Sequence, residues 1–124
     1  MMDERPVDLE VALRWLGGDR HLLLELVDLF VEDIPKRVIG LREASTTLDV
    51  HEIERLAHSL KGSAAILGAT GVQAAALTLE EAVRARQGVD AAGRLADLER
   101  ALERVAAYLA DPRVRAQLTR EGAR

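Results

Sequence analysis

The sequence of 124 residues contains no cysteine. This absence excludes a disulfide framework, a thiolate metal site and a thiol nucleophile. Aromatic residues are also scarce, since Trp15, Phe30 and Tyr108 make up only 2% of the chain. Because 48% of the residues are nevertheless hydrophobic, the core has to be built from Leu, Val, Ile and Ala. That composition suits closely packed helices better than a sheet, in which β-branched and aromatic residues are enriched.

The sequence also lacks long apolar segments and an excess of basic charge. No uncharged apolar run approaches the roughly 20 residues that span a bilayer, and the polar start, Met1–Pro6, leads into no hydrophobic signal segment. We therefore expect a cytoplasmic protein without a membrane partner. The formal net charge of −4 argues against nucleic acid as a main partner. The length favours a single domain over residues 1–124.

Apolar residues recur at helical spacing along almost the whole sequence, and no strand pattern interrupts them. Four long helices are predicted, over about 20–44, 49–67, 70–87 and 90–109. Because short connections make consecutive helices antiparallel neighbours, they favour an up-down four-helix bundle, an all-α fold. We expect the core to occupy about residues 7–109, with residues 1–7 frayed and residues 110–124 as a C-terminal extension.

Acidic residues are the predicted N-caps of these helices. Asp8 would begin a short N-terminal helix that covers one end of the bundle, and Asp19 would begin the first long helix. Asp49, with Glu52 three residues later, forms a variant of the capping box. Gly88 to Asp90 predict a break, with Asp90 as the next cap candidate.

Two prolines affect the predicted helices differently. Pro35 lies inside the first long helix, but the apolar stripe continues in phase past it, which predicts one kinked helix. Pro112 follows Asp111, and an acidic N-cap before a proline predicts a short additional helix that reaches about Arg120.

The stretch 57–68, Ala-His-Ser-Leu-Lys-Gly-Ser-Ala-Ala-Ile-Leu-Gly, carries the first functional signal. With Leu60 at the centre of the buried face, His58 falls about 160° away, on the side that meets water. Gly62 lies one turn beyond His58 on the same side. A glycine inside a helix costs about 1 kcal/mol relative to alanine, and an outward position needs no small residue for packing. We infer that another molecule has to come close to His58.

His-Ser-Leu-Lys-Gly at 58–62, followed by Gly68, resembles the signature of histidine-containing phosphotransfer (HPt) domains. The likeness extends over about 7–109 and includes Leu16-Gly17-Gly18-Asp19 and Leu79-Glu80. Members of this family are four-helix bundles that carry a phosphoryl group on one exposed histidine. The resemblance implies a phosphorelay intermediate of two-component signalling with His58 as the phosphoacceptor. Its implied partners are a response-regulator receiver domain and a sensor or hybrid histidine kinase, and it implies no kinase or ATPase activity of the chain itself. The resemblance favours a monomer, and a dimer through the apolar surface near the histidine is the alternative.

Glu80 is the predicted partner of His58. It lies about as far after the turn near Gly68 as His58 lies before it, so the two stand at similar heights in an antiparallel pair. By accepting a hydrogen bond from one ring nitrogen, a carboxylate there would fix the tautomer and leave the other nitrogen as nucleophile. The resemblance agrees, because many members have Glu or Gln at this spacing. A surface ion pair between Glu80 and Arg84 is the alternative.

Three basic residues are candidates for contact with the phosphoryl group. Lys61 stands beside His58 at i+3, where its ammonium would offset the incoming negative charge. Arg55 and Arg84, one turn from His58 and Glu80 respectively, are further candidates. Ordinary solvated surface charges are the alternative for all three.

A small apolar surface around the histidine is predicted to bind the partner. Gly62, Ala65 and Ile66 lie on or beside the outward face, Ala69 follows them, and Leu77 points outward from the next helix. Burial of Ile66 and Leu77 by a neighbouring helix is the alternative. In the HPt family, the docked receiver domain supplies the aspartate, the Mg²⁺ and most of the catalytic electrostatics. We therefore expect no cofactor on this chain.

The remaining histidines do not indicate a metal site. His51 and His58 lie about 10.5 Å apart along the helix axis, too far to share one metal ion, and His21 is predicted to be a surface residue. Two other functions remain open at this stage. One is a non-catalytic helical module that binds a receiver or kinase without being phosphorylated. The other is a hydrolytic enzyme with a His58–Glu80 dyad, for which the sequence indicates neither a metal nor an enclosed pocket.

Overall fold

A computed structural model describes residues 5–85 and 88–122. These residues contain no strand and form six helices: α1 (Leu9–Trp15), α2 (Arg20–Thr46), α3 (Val50–Leu67), α4 (Thr70–Arg84), α5 (Gly88–Ala110) and α6 (Pro112–Gly122). α2 and α4 each pack against both α3 and α5, so these four helices close into a bundle. The predicted all-α bundle with two short additional helices is confirmed. Residues 1–4, expected to be frayed, and Gln87, the expected end of α4, lie outside the described residues.

The core consists of aliphatic side chains, as the composition requires. Phe30 is the one aromatic residue in the buried cluster of the described residues, whereas Trp15 is 72% exposed. The cluster includes Val114 and Leu118 of α6, which packs against α2 and α5. Arg115 of α6 also pairs with Asp28 of α2 at 2.7 Å. The C-terminal extension is therefore part of the packed structure as far as Leu118.

Four of the five predicted acidic N-caps are present. The carboxylates of Asp8, Asp19 and Asp49 each accept a hydrogen bond, of 3.0–3.2 Å, from the backbone N–H three residues later. Asp111 accepts one from the N–H of Arg113 at 2.8 Å. The prediction for Asp90 is wrong, because α5 already begins at Gly88 and Asp90 therefore lies within its first turn.

Pro35 and Pro112 lie where the sequence predicted. Pro35 is inside α2, which continues past it as one helix. Pro112 is the first residue of α6.

The turn between α3 and α4 is built around Gly68. This residue ends α3 with a left-handed backbone conformation, φ 68° and ψ 24°, which glycine adopts without steric cost. A Cβ atom here would overlap the carbonyl of Asp8, whose own N–H donates to the Gly68 carbonyl at 2.9 Å. The segment before α1 is thus held against this turn, and Val7 is buried. The expectation that the chain is frayed as far as residue 7 is therefore wrong at Val7.

Candidate functional site

α3 places His58 on the solvent side of the bundle. The buried residues of this helix follow helical spacing and lie on the opposite face: Ile53, Ala57, Leu60, Ala64 and Leu67. The His58 side chain is 69% exposed. A second molecule can therefore reach the imidazole without any change in the bundle, as the spacing predicted.

The carboxylate of Glu80, on α4, holds one side of the imidazole. Glu80 Oε2 lies 2.9 Å from His58 Nδ1, and Glu80 Oε1 accepts a hydrogen bond of 2.7 Å from Lys61 Nζ. Arg84, one turn further along α4, pairs with Glu80 Oε2 at 3.3 Å. The sequence placed Glu80 on a flank of α4, but its side chain is only 3% exposed. Burial with three polar partners makes it a fixed acceptor.

The charge of this carboxylate determines the tautomer of His58. The hydrogen bond from Lys61, with that from His58, holds the pKa of Glu80 below its ordinary value, although burial acts in the opposite direction. Glu80 is therefore ionised at neutral pH and can only accept hydrogen bonds. In the neutral imidazole, His58 Nδ1 then carries the proton that it donates to Glu80, and Nε2 keeps its lone pair. An exposed imidazole held in this tautomer is a nitrogen nucleophile.

The three predicted phosphoryl-contacting cations are all paired with carboxylates. Lys61 is directed at Glu80 and is only 26% exposed. Arg84 donates two hydrogen bonds to Glu54 Oε1, of 3.0 and 3.2 Å, besides its pairing with Glu80. Arg55 pairs with Glu52, one turn back on α3. Lys61 and Arg84 thus converge on the carboxylate that holds the imidazole, whereas Arg55 does not.

The predicted apolar surface is present in part. Gly62 is exposed, and a Cβ atom there would meet no atom of the described residues within 4 Å. Ile66 and Leu77 are 46% and 41% exposed, and Ala65 is half-buried. Ala69 does not belong to this surface: it is fully buried, because it directly precedes α4 in the turn against which the segment before α1 is held.

Arg37 of α2 was not predicted as a site residue. Its Nη1 lies 3.5 Å from Ser59 Oγ and its Nη2 lies 3.3 Å from Ser63 Oγ. Its Nε is buried, with no hydrogen-bond partner in residues 5–85 and 88–122. The i, i+4 spacing of the two serines shows that they share a face of α3, but it does not show which α2 residue lies opposite them.

The described residues show neither a metal site nor a membrane span. No group of three or more His, Cys, Asp or Glu side chains in 5–85 and 88–122 is placed to hold a metal ion. His21 is exposed and pairs with Glu25 at 3.0 Å. No helix in the described part of the chain is both long and apolar enough to cross a bilayer.

Comparison with known proteins gives one family and two similar structures. The sequence matches the Hpt domain family over residues 25–108. Histidine-containing phosphotransfer protein B (HptB) from Pseudomonas aeruginosa PAO1 has a TM-score of 0.80 at 23% identity, covering 95% of this chain and 98% of its own. The HPT domain of the Hpt sensor hybrid histidine kinase from Shewanella has a TM-score of 0.77 at 20% identity, covering 93% and 97%. Both share the fold described above. No curated protein matches the sequence.

Proposed function

This chain belongs to the Hpt domain family, whose match covers residues 25–108, and we propose that His58 is the residue on which it carries a phosphoryl group. Proteins of this family are phosphorelay intermediates of two-component signalling that work with histidine kinases and receiver domains. One observation carries the assignment to His58. Its exposed ring donates Nδ1–H to the buried carboxylate of Glu80 at 2.9 Å, which leaves Nε2 as the nucleophile.

In the proposed reaction, the Nε2 lone pair of neutral His58 attacks the phosphorus of an aspartyl phosphate on a receiver domain. The Nε2–P bond forms while the bond between phosphorus and the aspartate oxygen breaks, and the electron pair leaves with the aspartate carboxylate. The Nδ1 proton stays on the ring. The product is a phosphoimidazolium whose positive charge faces Glu80, and the reverse reaction returns the phosphoryl group to an aspartate.

The residues around His58 have distinct proposed roles. Glu80 fixes the tautomer before the attack and stabilises the ring charge after it. The hydrogen bond from Lys61 keeps Glu80 ionised, and Lys61 also offsets part of the phosphoryl charge from its position beside His58. Arg84 holds the same carboxylate in place through its pairing with Oε2. Arg55, turned toward Glu52, receives no direct role.

The surface around His58 is the proposed receiver-docking surface, made up of Gly62, Ala65, Ile66 and Leu77. Mg²⁺ is expected on the receiver domain, where it would stabilise the transferring phosphoryl group. We assign to this chain neither a kinase nor an ATPase activity, and we expect a monomer that exchanges phosphoryl groups with its partners in the cytoplasm.

The test is transfer from a set of purified receiver domains, each phosphorylated with a radiolabelled small phosphodonor. Wild-type protein is expected to gain an acid-labile label, and His58→Gln is expected to gain none. His51→Gln is the matched control, because His51 is an exposed histidine on the same helix. It should be labelled like the wild type.

Two results would contradict the proposal. A His58→Gln variant labelled to the wild-type level would place the phosphoryl group on another residue. Binding of a receiver without any transfer of label would support the non-catalytic interaction module instead.

A further inference from the structure

Arg37 differs from the other basic residues around His58 because no carboxylate in the described part of the chain pairs with it. Within the described ranges, 5–85 and 88–122, its hydrogen bonds go only to the hydroxyls of Ser59 and Ser63, at 3.5 and 3.3 Å. Lys61, Arg84 and Arg55 are each paired with glutamates. The guanidinium of Arg37 therefore keeps a full positive charge available to a partner.

The present contacts of Arg37 use only part of the hydrogen-bonding capacity of its guanidinium. A guanidinium has five N–H donors in a planar fork that matches a carboxylate or phosphate, with two parallel hydrogen bonds. Here two long hydrogen bonds reach neutral acceptors, and the buried Nε–H has no acceptor among the residues that the structure describes. Since hydrogen bonds to ionised acceptors are shorter and stronger than those to hydroxyls, an incoming oxyanion would replace both serines.

Arg37 lies beside His58 but on the opposite flank from Glu80. Its partners Ser59 and Ser63 directly follow His58 and Gly62 in the sequence, and helical geometry places them on the side of α3 away from Lys61. The His58 ring is turned the other way, because its Nδ1 contacts Glu80 on α4. Arg37 is thus placed to meet an incoming protein rather than a phosphoryl group on Nε2.

A shallow groove between α2 and α3 adjoins this guanidinium. Its volume is about 140 Å³, and Arg37 lines it together with Leu29, Ile66 and Asp33. Leu29 and Ile66 are 55% and 46% exposed. Asp33, one turn before Arg37 on α2, forms no ion pair with it in the described part of the chain. The groove therefore has exposed apolar walls, with one acidic and one basic side chain at separate positions.

We propose that Arg37 is a specificity-determining residue that pairs with a surface carboxylate of the receiver domain when the receiver docks over the groove between α2 and α3. This inference rests on the proposed function, because it takes the receiver as the occupant. The carboxylate would have to lie at the Ser59–Ser63 end of the groove, since Asp33 would repel it at the other end. A receiver without an acidic residue at that position would dock weakly.

The test measures phosphotransfer as a function of receiver concentration, with a receiver that labels the wild-type protein. Arg37→Gln is expected to raise the half-saturating receiver concentration about tenfold, and Arg37→Glu more, as for a buried interfacial arginine. The maximal transfer rate should stay within about twofold, because Arg37 does not act on the reacting atoms. Arg37→Lys keeps the charge but loses the planar fork, so it should restore part of the affinity lost in Arg37→Gln, whereas a purely structural bridge to the serines would not be restored.

Lys36→Glu is the matched control, because Lys36 is the exposed neighbour of Arg37 and undergoes the same change of charge. It should raise the half-saturating concentration no more than about twofold, through long-range attraction alone. Equal effects of Lys36→Glu and Arg37→Glu would overturn the proposal. A fall in the maximal rate of Arg37→Gln at an unchanged half-saturating concentration would also overturn it, since Arg37 would then act on the phosphoryl group.

Binding without transfer separates this inference from the proposed function. In the His58→Gln background, which accepts no phosphoryl group on residue 58, Arg37→Glu should still weaken receiver binding and Lys36→Glu should not. If that pattern holds while no receiver labels the wild type, the proposed function fails and the role of Arg37 stands. If the wild type is labelled and Arg37→Glu binds like Lys36→Glu, only the role of Arg37 fails.

Discussion

Replacement of Glu80 by glutamine perturbs the site with little change in shape. The amide keeps a carbonyl that can accept the Nδ1–H hydrogen bond of His58, but it removes the negative charge that faces the ring. Lys61 and Arg84, which are 26% and 60% exposed, can turn to water after the change. We therefore expect the bundle to stay folded and phosphotransfer to slow.

The size of the effect follows from the contact between Glu80 and His58. A hydrogen bond to a charged group contributes about 1.5–3 kcal/mol, and about 1.4 kcal/mol corresponds to tenfold in rate. Because the His58 side chain is 69% exposed, water screens the interaction. We expect transfer to slow about tenfold in Glu80→Gln. Glu80→Ala, which also removes control of the tautomer, should slow it about 100-fold.

Rapid-quench measurement of label transfer from a phosphorylated receiver gives these rates. Glu81→Gln is the matched control, because Glu81 is the exposed neighbour of Glu80 and loses the same charge. Urea denaturation of each variant checks that the bundle is folded. If Glu80→Gln and Glu80→Ala transferred the label at the wild-type rate, the role of Glu80 would be refuted. A loss of rate in Glu81→Gln equal to that in Glu80→Gln would also refute it.

Three further predictions concern two glycines and the acid side of the stability profile. Gly62→Leu should raise the free energy of unfolding by up to about 1 kcal/mol, yet slow transfer at least about tenfold by blocking the receiver's approach. Gly93 is another open and exposed helical glycine, so Gly93→Leu should give the same gain in stability with an unchanged rate of transfer. Equal transfer rates of Gly62→Leu and Gly93→Leu would contradict the docking surface. Gly68→Ala should lower the free energy of unfolding by about 2 kcal/mol or more in urea denaturation, because the left-handed conformation alone costs alanine about 1–2 kcal/mol. A variant as stable as the wild type would contradict the close contact with Asp8. Since the pKa of Glu80 is lowered from 4.5 in the folded state, its stabilising contribution is complete above about pH 4.5 and is lost as pH falls through the folded pKa. The difference in the free energy of unfolding between the wild type and Glu80→Gln should therefore stay constant above about pH 4.5 and shrink below it. A decrease of this difference between pH 7 and pH 5 would contradict the assignment.

Periodicity along a single helix made the position of His58 predictable. Leu60 and the other buried residues of α3 define one face by their spacing, and the histidine necessarily falls on the other. Counting residues on either side of Gly68 placed Glu80 at the height of His58 for a similar reason, since the rise per residue of a helix is fixed. These inferences needed no knowledge of distances between helices.

Contacts between helices were less predictable, because they depend on how each helix is rotated about its axis. Glu80 was expected on a flank and is buried. Lys61 was expected beside His58, but its pairing with Glu80 across the two helices was not predicted. Arg37 was not identified, because nothing in α2 indicates that it lies opposite Ser59 and Ser63. Val7 precedes the first helix, so no periodic pattern could show that it is buried.

Identification of the phosphorylated nitrogen tests the account most directly. Phosphorylated wild-type protein, labelled with ¹⁵N at the histidine ring nitrogens, would be studied by ³¹P and ¹⁵N nuclear magnetic resonance. We expect a single phosphohistidine at His58, with phosphorus bonded to Nε2 and a proton on Nδ1. Phosphorus on Nδ1, or on His21 or His51, would contradict it.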